Sequence, residues 1–374
     1  MLLVVNAGSS SVKVALFGAG LDEVARAQVS EIGGASVIEV AGQKTARPVA
    51  DHQAALAALL QALGLTPAAL TGAAHRVVHG GAGLVAPCRL TLEALARIED
   101  CIPLAPLHNP ANLTAIRALA ALAPDLPQYA SFDTAFHATI PAVASTYALP
   151  GAERGLGIRR YGFHGISYAS MVGYLRAKAA LPGRLLACHL GNGASLCAVR
   201  DGRSVATTMG YSPLEGLTMG SRTGDIDGNA VLRLAELHGI EGAARLLNRQ
   251  SGLLGLGGAS DMRALRAAGT PEAAFAIEHF AYWAVRHAGS MVAAMGGLDA
   301  IAFTGGIGEN DAAMRAAIVA GLGFLGARID PAANAARAEI LSATGSDVAI
   351  RIVRAEEERQ IASEAITIMA EEQA

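Results

Sequence analysis

The residues best suited to chemistry begin six positions into the chain. Asn6-Ala7-Gly8-Ser9-Ser10-Ser11-Val12-Lys13 gathers three hydroxyls, an ammonium and the backbone N–H groups of small residues in one short stretch. A polyphosphate needs many donors at close approach, and such a stretch supplies them. An ordinary polar turn has a similar composition, but only three of the 29 basic residues are lysines, Lys13, Lys44 and Lys178. A lysine kept at an apolar edge in so arginine-rich a chain reads as a phosphate point charge. Leu190-Gly191-Asn192-Gly193-Ala194-Ser195 is by itself either a second phosphate cradle or a plain hairpin. With the Gly305–Gly308 turn there are three such loops, and one bound nucleotide explains all three.

Two arginines suit anion recognition. Arg76 lies in His75-Arg76-Val77-Val78-His79-Gly80-Gly81 and Arg222 in Met219-Gly220-Ser221-Arg222-Thr223-Gly224. Glycine-flanked guanidinium groups at the ends of apolar segments can hold an anion bidentately. A surface arginine near a turn is the plain alternative for either one. His75 and His79 have the spacing of a helical metal pair, but Val77-Val78 and the glycines predict a strand, on which they would not converge on zinc. His164, in Tyr161-Gly162-Phe163-His164-Gly165, and His189 are either ligand donors or satisfied core histidines. Gly321–Gly326 matches GxGxxG but follows a helix, and no GxxxxGK[ST] is present.

The elements that must position these residues are strands and helices in alternation. Leu2–Val5 and Val12–Phe17 predict one hairpin, and Arg184–His189 and Leu196–Arg200 a second. Ala300–Thr304 predicts a strand running through a glycine turn into a helical stretch from Asp311 to Ala320. Before it comes a helix with Thr270 as N-cap, Pro271 at its first position, periodicity through Ala294 and Gly296-Gly297 at its end. Pro106–Pro110 reads as a turn, and Gln128–Asp133 as a strand ending on a carboxylate, with a hinge soon after. The pattern is α/β, and the similar units near residues 1 and 185 suggest duplication.

Length and composition agree. The 374 residues exceed one domain of roughly 150. Hydrophobic residues make up 52% and aromatics only 4%, a composition of alanine and aliphatic residues that packs helices and excludes disorder. A net charge of −3 with no basic block offers nothing to nucleic acid. The uncharged stretch Ala54–Ala74 is interrupted by Gln61, Gly64, Thr66, Pro67, Thr71 and Gly72, so it reads as a helix, a turn and a short second element, not a membrane span. The chain enters a strand at once with no cleavable apolar leader, so export is not expected. Cys88, Cys101, Cys188 and Cys197 lack metal-ligand pairing and read as reduced thiols in the cytoplasm.

Taken in chain order, these segments resemble the acetate kinase (acetokinase) family, within the acetate and sugar kinase/Hsp70/actin superfamily. The residues that carry the resemblance are Asn6–Lys13, His75–Gly81, Leu104–Pro110, Phe132–His137, Tyr161–Gly165, Cys188–Gly193, Pro213–Leu217 and Gly305–Asn310. It implies a two-domain actin-like fold of duplicated ribonuclease-H-like domains with a cleft between them. The implied N-terminal lobe is 1–133 plus about 358–374, and the nucleotide-binding lobe 134–357. A homodimer is implied too. The implied reaction is reversible transfer of phosphate from ATP to acetate, giving acetyl phosphate and ADP, with Mg²⁺ or Mn²⁺ held by Asn6 and Glu357. The implied catalytic residues are Arg76, Asp133, His164 and Arg222. Ser9, Ser11, Lys13, His189, Asn192 and Gly193 would face the phosphates. Asp261, Met262, Arg263, Gly306, Ile307, Gly308 and Asn310 would hold the rest of the nucleotide, and Val78, Leu107, Phe163 and Pro213 the acetate methyl, beside Arg76.

A carboxylate is already ionised near neutral pH, so it needs relief from repulsion by an anionic phosphate more than it needs a general base. Removing Arg76 or Arg222 is therefore expected to lower turnover by orders of magnitude and spare the fold. The chain departs from the family at Ile166 and Tyr168, where threonine and histidine are usual, and at Met262, where phenylalanine is. Gly228 replaces a proline. Glu356-Glu357-Glu358-Arg359 replaces Asn-Glu-Glu-Leu, which leaves Glu356 and Glu358 as alternatives to Glu357. Three rivals share the loops: a propionate or butyrate kinase, a sugar or glycerol kinase, and a non-catalytic actin-like nucleotide-binding protein.

Overall fold

The computed structural model describes residues 1–374, and the chain divides into two units. Unit 1 is Met1–Phe136, Gly165–Ser170 and Glu356–Ala374; unit 2 is His137–His164 and Met171–Ala355. This differs from the expected partition chiefly at Gly165–Ser170. Gly165 N donates to the Asp133 carbonyl at 2.8 Å, and Ile166 enters an apolar cluster of unit 1.

Unit 1 holds β1 (Leu2–Gly8), β2 (Ser11–Phe17), β3 (Glu23–Ser30), β4 (Val37–Val40), β5 (Gln43–Ala46), β6 (Gly72–Val77), β7 (Cys88–Arg89) and β8 (Gln128–Phe132). They form one sheet in the order β5-β4-β3-β2-β1-β6-β8-β7. β1 pairs antiparallel with β2 and parallel with β6, which pairs parallel with β8. Period-two alternation sends Leu3, Val5 and Ala7 to one face, against Leu56 and Leu59 of the helix His52–Ala62 and Leu119 of the helix Asn109–Leu122. Leu2, Val4, Ala15, Phe17, Ala74 and Tyr129 go to the other, under Ile361, Ala362 and Ala365 of the C-terminal helix Glu357–Gln373. β1 is thus apolar from Leu2 to Val5 because both of its faces are covered there.

Unit 2 holds β9 (Arg184–Leu190), β10 (Ala194–Arg200), β11 (Arg203–Thr207), β12 (Ala300–Thr304) and β13 (Ala349–Ile352), in the order β11-β10-β9-β12-β13. Its antiparallel β9–β10 hairpin and parallel β9–β12–β13 repeat the arrangement of β3-β2-β1-β6-β8. The suggested duplication is present in topology. The helix Pro271–Met295 starts on Thr270, whose side chain accepts from Ala273 N, and ends at Gly296 in the left-handed region.

Two elements differ from expectation. The first hairpin's turn is only Ser9-Ser10; Asn6 and Lys13 lie within the ladder, directly opposite one another. After β12 the chain does not turn but enters the helix Gly305–Asn310 directly. Gly305, at φ +79°, makes the sharp entry, and Glu309 Oε1 accepts from its N–H at 3.1 Å. No helix of the chain is long and apolar enough to cross a membrane.

Three buried imidazoles, His75, His79 and His137, make stability pH-dependent. Burial pushes all three down to about 4, against opposing hydrogen bonds of His75 to Gln128 and of His137 to the Phe163 carbonyl. The folded state refuses a proton that the unfolded chain takes below about 6.5, so stability is lost as pH falls from about 6.5 towards 4. By pH 5 each group costs about 2 kcal/mol. Denaturant midpoints at pH 7 and pH 5 should differ accordingly, with a smaller difference in His137→Asn; equal midpoints would remove this assignment.

Candidate active site

In unit 1 the strand register builds a polar row beside the apolar face under the C-terminal helix. Lys44, Glu39, Gln28, Lys13 and Asn6 are successive cross-strand partners through β5, β4, β3, β2 and β1, and Arg76 of β6 is opposite Ser131 of β8. Alternation places Asn6 on the face of Leu2 and Val4, Lys13 with Ala15, and Arg76 with Ala74. The polar row therefore begins one step beyond the last apolar residue of each strand.

Arg76 is the centre of this row. Its Nε donates to Asp133 Oδ1 at 3.1 Å, its Nη2 to Asp133 Oδ2 at 2.5 Å, and its Nη1 to Asn6 Oδ1 at 3.4 Å. Burial works against the guanidinium charge, but Asp133 and Glu357 outweigh it and raise the Arg76 pKa. Asn112 ties two strand ends together, accepting from Val78 N at 3.1 Å and donating to the Ala7 carbonyl at 2.8 Å. Asn109 holds His79 in the same way, accepting from its N–H at 3.1 Å and donating to its carbonyl at 3.0 Å.

Glu357 opens the C-terminal helix against this row. Burial lifts its carboxyl to about 7; Arg76 and Lys13 oppose the rise, and Asp133 and Glu358 reinforce it. A carboxylate made this reluctant to ionise by burial and acidic neighbours is relieved by a cation. The Glu357 carboxyl and the Asn6 amide both offer oxygen donors, the kind that suit a hard ion keeping water and phosphate oxygens as its other ligands. The residues fit Mg²⁺.

Unit 2 gathers a second set. His164, at φ 59°, sits in the left-handed region immediately before the helix Gly165–Ala177. A non-glycine residue held there costs roughly 1–3 kcal/mol and is commonest at functional sites. Its ring stacks on His189 at a centroid distance of 4.1 Å, and its Nδ1 lies 2.9 Å from Ser195 Oγ. Arg222 Nη1 donates to the Pro213 carbonyl at 3.0 Å. A Cβ on Gly193 would stand 3.3 Å from His164 Nε2 and 3.6 Å from Arg222 Nη1, so this glycine lets an imidazole and a guanidinium approach one spot of backbone. Gly220 N donates to the Asn192 carbonyl at 2.9 Å, joining the Arg222 loop to the β9–β10 turn.

A family model described as the acetokinase family matches residues 1–363. The chain belongs to the acetokinase family. Acetate kinases of Streptomyces coelicolor and Leifsonia xyli are 42% and 44% identical to it, each match covering 99% of this chain and 97% and 99% of those proteins. A propionate kinase of Citrobacter rodentium is 42% identical over 98% of this chain and 96% of its own. Among solved structures, the Porphyromonas gingivalis acetate kinase has a TM-score of 0.92 at 35% identity, covering 98% of this chain and 99% of its own. A Francisella tularensis propionate kinase has 0.91 at 35%, covering 97% and 98%. The fold is that of the family, the two-domain actin-like architecture.

Set beside these acetokinase-family positions, the structure distributes the expected residues unevenly. Asn6, Lys13, Arg76, Asp133 and Glu357 come together in unit 1, and His164, His189, Asn192, Gly193, Pro213 and Arg222 in unit 2. Ser9 and Ser11 flank the first turn. Gly306, Ile307, Gly308 and Asn310 lie on the short helix after β12, with Asn310 Nδ2 donating to the Gly306 carbonyl at 3.0 Å. Met262 is buried, and Asp261 caps its helix and pairs with exposed Arg263 at 3.1 Å. Val78 and Phe163 are buried, and Leu107 is exposed. Ile166 packs in the apolar cluster of unit 1, and the Tyr168 ring lies 6.2 Å from that of Phe136. Those two departures from the family pattern are core residues. The Gly321–Gly326 motif is a helix end and a 3₁₀ turn.

Sequence reasoning missed the supports. Glu364 accepts from Ser131 Oγ at 2.5 Å beneath the polar row, and His137 lies 2.9 Å from the Phe163 carbonyl. Arg315, fully buried, donates to Gly308 O at 2.9 Å and to Asn334 Oδ1 at 2.8 Å.

Proposed function

We propose that this chain is a cytoplasmic, homodimeric acetate kinase, transferring the γ-phosphoryl group of ATP to acetate and running equally in reverse. One observation carries the choice of a carboxylate acceptor: both oxygens of Asp133 are engaged by Arg76. A kinase acting on a sugar hydroxyl needs a carboxylate poised to take a proton. Asp133 here orients a cation instead, and a carboxylate nucleophile brings no proton to remove.

On this reading Arg76 binds the acceptor carboxylate and offsets its repulsion by the incoming phosphate. Lys13, Arg222 and His164 stabilise charge on the equatorial phosphoryl oxygens during transfer. Ser9, Ser11, Asn192 and Gly193 hold the flanking phosphates. Asp261, Arg263 and the Gly305–Asn310 helix hold the nucleoside side. Mg²⁺, held by Asn6 and Glu357, would supply neutralisation of phosphate charge when bound. Val78, Leu107, Phe163 and Pro213 exclude water around the acetate methyl. Exposed Leu232, Leu237, Ile240, Phe275 and Tyr282 offer unit 2 apolar surface for a homodimer contact.

Trapping the acyl phosphate as hydroxamate, with ATP and acetate, propionate or butyrate, tests this reading. Acetate should give the highest kcat/KM; no hydroxamate from any of the three would sink the proposal. Propionate is the second reading, favoured by relatives of that name at similar identity. Val78→Ala should move preference towards propionate by about tenfold, since one methylene is worth about 1–3 kcal/mol in such a pocket. An unchanged ratio would remove Val78 from the pocket wall.

A further inference from the structure

We infer that Arg160 and Glu215, with Tyr147, form a clamp that positions His164 and Arg222 for phosphoryl transfer. The inference rests on the roles just proposed for those two residues.

Three half-buried side chains close on one another in unit 2. Arg160 Nη1 donates to the carbonyls of Thr207, Thr208 and Met209 at 3.3, 3.1 and 3.1 Å. Its Nη2 pairs with Glu215 Oε1. The Tyr147 hydroxyl donates to Glu215 Oε2 and accepts from Tyr211 N at 3.0 Å. Burial, reinforced by the Glu215 carboxylate, raises the phenol's pKa, so Tyr147 keeps its proton and remains the donor. The Arg160 guanidinium also lies over the Tyr147 ring, 5.6 Å from its centroid. Gly210 sits inside the assembly. Its carbonyl accepts from Tyr161 N at 3.0 Å and Gly162 N at 3.2 Å, and a Cβ there would collide with the Glu215 carboxylate and the Tyr147 hydroxyl.

The clamp joins the two segments that carry the proposed catalytic groups. Arg160 is four residues before His164. Glu215 is two residues after Pro213, whose carbonyl accepts from Arg222, and Gly216 N then donates to Asp225 Oδ1 at 2.7 Å, closing the Arg222 loop. His164 and Arg222 converge beside Gly193, so their relative placement has little slack. A shift of about 1 Å at such a site costs on the order of a hundredfold in rate. Stability alone gives weak reason to keep the pair, because apolar residues of similar volume often replace a buried ion pair without loss.

Glu215→Gln keeps the volume and one acceptor but loses the charge. Its kcat, per folded molecule by circular dichroism, should fall about ten- to a hundredfold, with KM for ATP within about twofold. Tyr147→Phe removes one hydroxyl and should lower kcat roughly fivefold at unchanged KM for ATP. The apolar pair Arg160→Met with Glu215→Leu should recover part of the melting temperature lost in Glu215→Leu alone and leave kcat depressed. Parent kcat per folded molecule in Glu215→Gln, or recovery of both properties in the double variant, would overturn the clamp. Arg222→Ala run alongside separates the two levels. If it is inactive while Glu215→Gln is normal, only the clamp fails; if it is active, the role proposed for Arg222 fails first.

Discussion

Arg76→Ala should lose turnover by about a hundred- to a thousandfold and lose stability with it. The kinetic part follows from removing the cation proposed to hold the acceptor carboxylate and offset its repulsion by the incoming phosphate. The stability part comes from Asp133, which is 2% exposed and takes two hydrogen bonds from Arg76. Deleting the guanidinium leaves a buried carboxylate without its counter-charge, which costs about 3–5 kcal/mol. The sequence-based expectation that the fold is spared therefore does not extend to Arg76. Activity of the single variant would confuse catalysis with unfolding, so the informative protein is the double variant Arg76→Ala with Asp133→Asn: its denaturant midpoint should recover most of the loss, and its turnover none. Turnover near the parent value in that double variant would end the proposed role of Arg76.

What the sequence disclosed follows from what a linear pattern can carry. β1 and β2 were legible because their apolar runs are buried on both faces and end in small residues. The ladder pairing of Asn6 with Lys13 was not, since register depends on where a two-residue turn closes. The helix Gly305–Asn310 was read as a turn because glycine at the end of a strand favours one. Its supports are long-range: Glu309 accepts from Ala355 N at 3.0 Å, and Arg315 bonds Gly308 and Asn334. Arg315 itself looks in sequence like any surface arginine, yet it is completely buried, with its guanidinium donating to oxygens of Gly308 and Asn334. The same blindness hid Arg160 and Glu215, which are 55 residues apart, and Ser131 and Glu364, 233 apart. Most of the residues proposed to face the phosphates sit in short glycine-rich motifs; the residues that hold those motifs have ordinary neighbours.

Arg222→Ala should separate catalysis from stability more cleanly than Arg76→Ala. Arg222 is partly exposed, and its partners include the Pro213 carbonyl at 3.0 Å and Met219 Sδ at 3.7 Å, both neutral groups. Water can satisfy the carbonyl, so the loss of this bond should cost only about 1 kcal/mol. The kinetic cost should again be about a hundred- to a thousandfold, carried by kcat, with KM for ATP little changed, because the interaction is made chiefly in the transition state. Arg222→Lys should recover only part of it. An ammonium restores the charge but not the planar fork that can serve a carbonyl and a phosphoryl oxygen together. Equal activity of the lysine variant and the parent would reduce Arg222 to a point charge. Parent-like turnover in Arg222→Ala would reject its phosphoryl role altogether and leave the Arg160–Glu215 clamp without the target that explains it.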